Sequence, residues 1–597
     1  MLMNNPAETH SKKRSPLVIV CIGILIITIA CIIFYNDVLF SPSVIPWGSD
    51  TLGHVFRFEY LKDSIQNGVW SPDFVPEWYL NNQLFRYYPP FGYYILALTS
   101  PLFEDPIVLT NLFIIVSTWV GGLSWLLFHK QIGWFPSVLA GVLFVVLPDM
   151  VRISYAEGNL LRHLTNVLLP IILYLLLTLL ENPERKWERL LLAFLFLVLV
   201  LSHPMMAAII ASTSVLFIIL HTVIHGKNYR NAINITFYII LGVMLASFWL
   251  LPSLTGGITE LNKEAVMAGL PIISFSSLFN PSTRSNNIEG LYIGFSLLTS
   301  GILLAIFPEV RQCKNYWAAL LAGVLFCLVA TPILSPLYFS LPLSTLMWPI
   351  RFLTVSSLFF LFAIMVGIQS LIESPAKPVI KIIPTAIVCL LLIIDFSGSK
   401  SLIFGREKDM TFILPATYLN QTEGWRQATL DDSRTGSGPS YYVYKLGKRE
   451  QLYGWGFQGA RSATLVSSIN ESMTFGYTAY AIDRLRLTGM DDLWVANKIP
   501  QPYLFNEALI DTGYEHKLST DQYDIYHQVG TPRVILSPWK AIGIGSTVQN
   551  YAYIFPQIIP LDSPYLDDYS VEELSQYDLI VLAGFNWHNK SKAEGLI

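Results

Sequence analysis

The chain has 597 residues; 53% of them are hydrophobic, only 13% are charged, and the formal net charge is −4. A composition this apolar excludes an ordinary soluble enzyme and favours a protein that crosses the membrane many times. The small net charge and the scattered basic residues argue against nucleic acid as a partner. All five cysteines precede the polar C-terminal part, which therefore has no disulfide framework.

The first long apolar run, residues 16–34, follows the basic cluster Lys12, Lys13 and Arg14. Because positive residues beside a span stay in the cytoplasm, this order predicts a cytoplasmic N-terminus. The run is too long for the apolar part of a signal peptide and lacks a small-residue cleavage site. We therefore expect a retained anchor in the cell membrane.

Further apolar runs follow as far as residue 394, with basic loops between them. About eleven crossings place every basic loop on the cytoplasmic side. These loops lie near residues 129–130, 184–189, 225–230 and 311–314. The apolar stretch 91–102 is too short to span and follows Pro89 and Pro90, so it is predicted to be re-entrant or interfacial. The sequence thus predicts an α-helical polytopic membrane domain over residues 1–397.

The part after residue 397 has ordinary polarity and is predicted to be extracytoplasmic. Over residues 398–530 we expect one α+β domain built from short strands. The candidate strands are 441–444, 493–495 and 523–526.

A change of pattern near residue 531 predicts a further unit over residues 531–597. A strand at 534–536, a capped helix at 570–576 and a buried parallel strand at 577–584 are typical of the start of a Rossmann-like α/β unit. Because the chain stops as the next helix begins, we expect this unit to be incomplete.

Asp50 and His54 lie in the first polar stretch after the first apolar run. Side chains four residues apart share one face of a helix. A carboxylate at a membrane–water boundary serves as a general base or a metal ligand, and a neighbouring imidazole binds a phosphate oxygen. The alternative is the polar first turn of an interfacial helix, with Asp50 near the positive end of the helix dipole.

A second polar stretch contains Glu157, Arg162 and His163, at the predicted outer end of an apolar helix. Ionisable groups are costly there unless they are paired or functional. In one interpretation Arg162 pairs with Glu157 for structural reasons. In the other, Glu157 is a second carboxylate of a substrate site, and Arg162 or His163 binds a phosphate.

Two further candidates stand at helix ends. His203 precedes Pro204, and a histidine at such a corner is more often a structural hydrogen-bonding group than a catalyst. Arg351 begins an apolar helix, where a guanidinium suits a phosphate, with snorkelling to lipid headgroups as the alternative. Four aromatic residues at predicted interfaces are candidates for a groove that binds a lipid or a sugar. The alternative is an ordinary belt of aromatic side chains at the membrane interface. The four residues are Tyr87, Tyr88, Trp249 and Trp348.

Several short motifs, which include most of these candidate residues, follow one another in a defined order along residues 15–530. They are Gly48-Ser49-Asp50 with His54, Tyr87-Tyr88-Pro89-Pro90, Tyr155-x-Glu157-Gly158, Ser202-His203-Pro204, Phe248-Trp249-Leu250-Leu251-Pro252 and Trp348-Pro349-x-Arg351-Phe352. In this order the chain resembles the bacterial 6-pyruvoyl-tetrahydropterin-synthase-related integral membrane proteins. That family is similar to the GT-C superfamily of polyprenyl-phosphate-sugar-dependent glycosyltransferases. The pterin-synthase label does not indicate pterin chemistry, because the zinc-binding histidine cluster is absent from the sequence.

The resemblance implies a GT-C-like membrane glycosyltransferase that transfers a sugar from a polyprenyl-phosphate donor to an extracytoplasmic glycan, lipid or protein of the cell envelope. Asp50 takes the role of the family's base or metal ligand. Many relatives carry two adjacent acids there, whereas this chain has Ser49-Asp50 and then His54, so a requirement for Mg²⁺ or Mn²⁺ stays open. Arg351, with His54 or Arg162, would neutralise the leaving phosphate.

Two other functions stay open beside transfer. An exporter of envelope precursors would need ionisable residues in the middle of its spans and internal repeats, whereas here such residues gather at helix ends. The other is a membrane scaffold without catalytic activity.

Overall fold

A computed structural model describes residues 16–40, 44–46, 48–226, 229–255, 272–283, 291–342, 344–403, 405–406, 410–431, 437–456, 458–460, 462–499, 502–528, 539–555 and 557–597. The chain divides into two compact units. The helical unit comprises Met1–Ser71 and Tyr88–Lys408, and the C-terminal unit comprises Pro72–Tyr87 and Asp409–Ile597.

The described helices of the helical unit are, in chain order, Pro16–Phe34, Asn36–Leu39, Thr51–Gln66, Phe91–Thr99, Pro106–Ser124, His129–Ile132, Trp134–Val145, Pro148–Val151, Leu160–Val167, Leu169–Glu181, Lys186–Ser202, Pro204–His225, Tyr229–Leu245, Ser247–Leu254, Phe275–Phe279, Phe295–Leu304, Pro308–Arg311, Lys314–Val329, Ser335–Phe339, Phe352–Glu373 and Pro378–Ser397. Their ends follow local chemistry. Asp105 accepts a hydrogen bond from the backbone N–H of Ile107 (2.8 Å) to cap one helix, and Gly226 in the left-handed conformation (φ 63°) ends another.

Six of the described helical segments are long and apolar enough to cross a membrane. They are Pro106–Ile132, Trp134–Glu157, Leu160–Glu181, Pro204–His225, Pro349–Glu373 and Pro378–Leu402. A seventh span results if Tyr229–Leu245 and Ser247–Leu254, bent by 66° to each other, form one crossing. Shorter apolar helices, among them Val18–Phe34 and Phe91–Leu102, accompany these. The predicted total of about eleven crossings and the sidedness of the termini therefore stay predictions.

The segment Pro349–Glu373 forms the centre of the helical unit. Over an apolar stretch of 18 residues it is 83% buried, whereas the slightly more apolar Pro378–Leu402 is only 22% buried over such a stretch. A helix that is apolar on every side belongs in the interior, and one with exposed isoleucines on its outer face suits contact with lipid. The central helix packs against Lys314–Val329 and Phe295–Leu304. Its N-terminal end carries Arg351.

Two short strands connect the beginning and the end of the helical unit. β1 (Ile45–Pro46) pairs antiparallel with β2 (Gly405–Arg406). The polar loop that begins at Gly48 therefore leaves from a fixed point beside the exit of the last apolar helix.

The C-terminal unit contains a five-stranded and a three-stranded sheet. Its strands are β3 (Arg426–Leu430), β4 (Glu450–Gln451), β5 (Asp492–Ala496), β6 (Glu515–Ser519), β7 (Tyr523–His527), β8 (Ala541–Ile544), β9 (Ile558–Pro560) and β10 (Leu579–Leu582). The first sheet has the order β4-β3-β5-β7-β6, parallel through β5 and antiparallel beyond it. The second is parallel, with the order β10-β8-β9. The described helices are Leu84–Tyr87, Met410–Leu419, Ser437–Tyr442, Ala463–Thr474, Thr478–Leu487, Pro502–Asp511, Val548–Ile554, Val571–Leu574 and Lys590–Glu594.

Most of the strand predictions in this unit are confirmed. Residues 493–495 lie in β5 and 523–526 in β7, and β10 pairs parallel with β8, although its residues are mostly half-buried rather than buried. Ser570 and Glu573 form the predicted capping box. The predicted strand 534–536 lies outside the described residues.

The predicted strand at 441–444 is wrong. Ser437–Tyr442 is a helix, and Val443–Gly447 continues it as a π-helical turn. Tyr441 and Tyr442 are both buried although they are consecutive. Neighbouring strand residues point to opposite faces, so an aromatic run without polar alternation does not distinguish a half-buried strand from a buried helical segment.

The segment Pro72–Tyr87 belongs to the C-terminal unit although it lies early in the chain. The N–H of Leu80 donates to the carbonyl of Gln451 (2.8 Å), and the Ser462 hydroxyl donates to the carbonyl of Tyr79 (2.6 Å). The expected membrane domain over residues 1–397 did not anticipate this insertion.

Candidate functional site

The two polar stretches singled out by the sequence lie against each other through their backbones. The N–H of Gly48 donates to the carbonyl of Tyr155 (2.8 Å), and the N–H of Asp50 donates to the carbonyl of Glu157 (3.2 Å). The approach requires glycine, since a Cβ at Gly48 would lie 2.2 Å from the backbone nitrogen of Gly158. Asp50 therefore stands beside Glu157 across more than 100 residues of chain.

Glu157 is the centre of a buried ion-pair network. Its carboxylate contacts the guanidinium of Arg162 (2.8 Å) and that of Arg152 (3.2 Å). Arg152 also pairs with Asp149 (2.9 Å), which accepts a hydrogen bond from Thr354 of the central helix. Buried charges persist when they are paired in this way. Pairing of Arg162 with Glu157 is thus confirmed, and Glu157 holds guanidiniums rather than facing a phosphate itself.

Arg162 keeps one edge of its guanidinium unused. Its Nη1 donates to both oxygens of Glu157 (3.1 and 2.8 Å). The Nε and Nη2 atoms are buried and have no hydrogen-bond partner among the described residues. The Nε–Nη2 edge is the planar fork that binds a phosphate or carboxylate through two parallel hydrogen bonds. A buried fork of this kind calls for an anion.

Arg351 and His203 bring a second set of donors together. Nε of Arg351 is buried without a partner among the described residues, whereas its Nη1 donates to the sulfur of Met205 (3.2 Å). Nη1 of Arg351 is 3.1 Å from Nε2 of His203, and the guanidinium lies 4.5 Å from the ring centre of Trp348. His203 Nδ1 accepts a hydrogen bond from the N–H of Met206 (3.3 Å). A neutral imidazole has one N–H and one lone pair, so Nε2 then carries the proton and faces another donor. A shared anionic oxygen would satisfy both groups.

A third group of side chains follows one face of the helix Thr51–Gln66. Nδ1 of His54 is 2.7 Å from the hydroxyl of Tyr93, and Nη1 of Arg57 donates to the same hydroxyl (3.4 Å). The Arg57 guanidinium lies 3.5 Å from the ring centre of Tyr88. Sequence reasoning missed Arg57. The available signal was a lone arginine between Phe56 and Phe58, one turn after His54.

These groups act on one another electrostatically. Burial raises the pKa of Asp50 to about 7, and the Glu157 carboxylate adds to this rise, while the Ser49 hydroxyl and the guanidiniums of Arg351 and Arg57 oppose it. Burial also lowers the pKa of His203 well below its usual value, and the guanidinium of Arg351 lowers it further. Asp50, Glu157 and Arg351 thus belong to one electrostatic cluster, in which a carboxyl titrates near neutrality.

The remaining predicted residues lie elsewhere. Both ring nitrogens of His163 are used within the bundle, by Ser154 (2.7 Å) and Ser117 (2.9 Å), which leaves neither for a phosphate. Trp249 is buried in the helix Ser247–Leu254. Tyr87 belongs to the C-terminal unit, where its ring packs over Gly459, so Tyr87 and Tyr88 fall in different units.

A divalent cation in this cluster would need several oxygen or nitrogen ligands from its side chains. Within the described ranges, no three His, Cys, Asp or Glu side chains are grouped closely enough to hold a metal ion. Asp50 and Glu157 are neighbours, but both oxygens of Glu157 accept hydrogen bonds from guanidiniums. These residues do not fit Mg²⁺ or Mn²⁺, which prefer several unshared oxygen ligands.

The chain belongs to the family described as 6-pyruvoyl-tetrahydropterin synthase related domain, membrane protein, whose model matches residues 85–403. Residues 415–542 and 540–597 match two domain families of unknown function. Among curated proteins, none matches this chain.

The structure is similar to solved GT-C glycosyltransferases. The arabinofuranosyltransferase AftD from Mycobacteria has a TM-score of 0.53 at 15% identity, covering 89% of this chain and 41% of AftD, so this chain spans about two fifths of it. The Archaeoglobus fulgidus oligosaccharyltransferase tethered with an acceptor peptide has a TM-score of 0.50 at 11% identity, over 88% of this chain and 75% of the enzyme. ArnT from Cupriavidus metallidurans bound to undecaprenyl phosphate has a TM-score of 0.48 at 11% identity, over 86% of this chain and 98% of ArnT. At such identities the likeness to AftD and to the oligosaccharyltransferase shows the fold alone.

Proposed function

We propose that the protein is a membrane glycosyltransferase that takes a sugar from a polyprenyl-phosphate donor and transfers it to an extracytoplasmic envelope acceptor. The observation that carries the proposal is the unused, buried fork of Arg162 in the same electrostatic cluster as Arg351 and Asp50. The fold shared with an arabinofuranosyltransferase and an oligosaccharyltransferase supports the general kind of activity.

In this proposal Arg162, Arg351 and His203 bind the phosphate of the donor. As the bond between the anomeric carbon and the phosphate oxygen breaks, the electron pair stays on the phosphate. Fixed donors in a water-poor site stabilise that charge more than water would. Because these donors belong to a unit of apolar helices, a phosphate carried on a lipid reaches them without leaving the membrane.

In this proposal Asp50 is the general base for the acceptor. Its carboxylate would remove the proton of the acceptor hydroxyl while the acceptor oxygen bonds to the anomeric carbon. A general base works best when its pKa lies near the working pH. A carboxyl whose pKa is raised to about 7 meets this condition. Proton removal at Asp50 and charge stabilisation at the arginines then balance the transfer.

The first test is binding of undecaprenyl phosphate to the full chain in lipid nanodiscs, measured by native mass spectrometry against undecaprenol. We expect the phosphate to bind and the alcohol not to bind. Arg351→Gln should lose about tenfold or more in affinity, the value of a charge-assisted hydrogen bond. Arg311→Gln is the matched control, because Arg311 is exposed and donates only to the carbonyl of Ile306 among the contacts described.

Asp50→Asn separates binding from transfer. This variant should bind undecaprenyl phosphate like the parent and release no polyprenyl phosphate from a glycosylated donor in membranes that supply the acceptor. Equal binding of phosphate and alcohol would overturn the anion site, and full transfer by the Asp50→Asn variant would overturn the assigned base.

A further inference from the structure

We infer that His54 is a fixed hydrogen-bond donor to a sugar hydroxyl of the bound substrate, and that Arg57 is a positioning residue that sets its tautomer through Tyr93. The identity of the substrate oxygen rests on the proposed function. The tautomer rests only on contacts within the helical unit. The role differs from the phosphate contact predicted for His54 from sequence.

The placement of His54 beside the candidate base comes from helix geometry. Asp50 precedes the helix Thr51–Gln66, and the N–H of His54 donates to the carbonyl of Asp50 (3.1 Å). His54 and Arg57 follow at intervals of one turn and are 2% and 0% exposed. Side chains at such spacing share one face of a helix. The ring of His54 therefore belongs to the face of the helix that begins at Asp50.

The direction of the hydrogen bonds decides which nitrogen of His54 carries the proton. A guanidinium only donates, so the contact of Arg57 Nη1 with the Tyr93 hydroxyl uses a lone pair of that oxygen. A hydroxyl that accepts in this way becomes the stronger donor through its own O–H. We assign this hydrogen bond to Nδ1 of His54, which lies 2.7 Å from the hydroxyl oxygen. A neutral ring then holds its proton on Nε2, which presents an N–H.

Two features keep the His54 ring neutral and hold the contacts from Arg57 through Tyr93 to His54 in place. Burial lowers the pKa of His54 well below its usual value, and the guanidinium of Arg57 lowers it further. The same guanidinium lies flat over Tyr88, 3.5 Å from the ring centre, which holds its plane. His54 is therefore a donor at neutral pH and no competitor of Asp50 for the acceptor proton.

Histidine NMR tests the tautomer without reference to activity. The full chain, labelled with ¹³C and ¹⁵N histidine in nanodiscs, is measured at pH 7, and His54 is assigned by the signal lost in His54→Gln. We expect the Nε2–H form in the parent. Tyr93→Phe should shift this signal toward the Nδ1–H form, and Arg57→Lys should shift it less. His163, whose nitrogens contact serines, is the internal reference whose signal stays unchanged.

Amide substitutions test the donor role. The amide nitrogen of glutamine reaches the position of Nε2, whereas that of asparagine matches Nδ1. His54→Asn should lose roughly tenfold more transfer activity than His54→Gln, the value of one hydrogen bond to a substrate group. Undecaprenyl phosphate binding should change equally little in both variants, because the phosphate donors lie on other helices.

The results separate the two proposals. An Nδ1–H form in the parent, an unchanged His54 signal in Tyr93→Phe, or equal transfer by the two amide variants would overturn the inference. If undecaprenyl phosphate does not bind at all, the proposed function fails while the tautomer measurement keeps its meaning.

Discussion

Replacing Gly158 by alanine should separate the two polar stretches that form the candidate site. Gly158 has a φ of 75°, and a Cβ there would lie 2.3 Å from the Thr51 hydroxyl oxygen and 2.9 Å from the Thr51 backbone nitrogen. The left-handed backbone costs alanine roughly 1–2 kcal/mol. Because one of the contacted atoms is backbone, the helix Thr51–Gln66 must also shift, at a cost of about 1–3 kcal/mol for overpacking. We expect the free energy of unfolding to fall by the sum of these two costs.

The same shift moves Asp50 away from its position beside Glu157. A displacement of about 1 Å costs on the order of 100-fold in a positioned reaction, so transfer should fall by that factor. Gly226→Ala is the matched control. Gly226 also ends a helix in the left-handed conformation (φ 63°), but an added Cβ meets nothing within 4 Å. Gly226→Ala therefore has the free-energy cost of a left-handed alanine but no steric clash of the added Cβ.

The assay follows thermal unfolding in detergent together with sugar transfer in nanodiscs. Gly226→Ala should show the smaller loss of stability and the transfer rate of the parent. If Gly158→Ala and Gly226→Ala behave alike in both measurements, the close packing of the two loops does not position the site, and the reasoning is refuted.

Three further predictions concern charge. Asp50 acts as a base only when ionised, so with its pKa raised to about 7 transfer should increase with pH through pH 7 and level off above it; a rate profile with its midpoint near pH 4 would contradict this. Glu157→Gln leaves Arg162 without a carboxylate, and we expect a loss of about 3–5 kcal/mol in denaturation measurements, together with a lower midpoint of the pH profile because Glu157 no longer raises the pKa of Asp50. Arg351→Lys keeps the charge but not the planar fork, so it should weaken undecaprenyl phosphate binding in native mass spectrometry, while remaining a better binder than Arg351→Gln.

Several parts of the candidate site could be predicted from the sequence because charge in an apolar chain is informative by itself. Asp50, Glu157, Arg162 and Arg351 all stand at the ends of apolar runs, where an ionisable group requires a partner or a function. The structure brings these four into one cluster. Their chemical roles stay predictions until transfer and binding are measured.

The pairings within the site were not predictable. Arg152 reads as an ordinary residue after an apolar run, yet it contacts both Asp149 and Glu157. His163 was a candidate ligand, yet its ring nitrogens contact serines. Such partners depend on the rotation of each helix about its axis, which the packing of neighbouring helices decides.

By itself, the sequence determined that apolar helices form, roughly where they begin and end, and that charge collects at their ends. Those features follow from local rules of hydrophobicity, capping and backbone conformation. Only the tertiary structure decided that residues 48–50 meet 155–158, that Arg57 lies over Tyr88, and that the segment Pro72–Tyr87 packs in the C-terminal unit. These contacts join residues that are distant in the chain, and they arise because many helices and loops bury their surfaces at once.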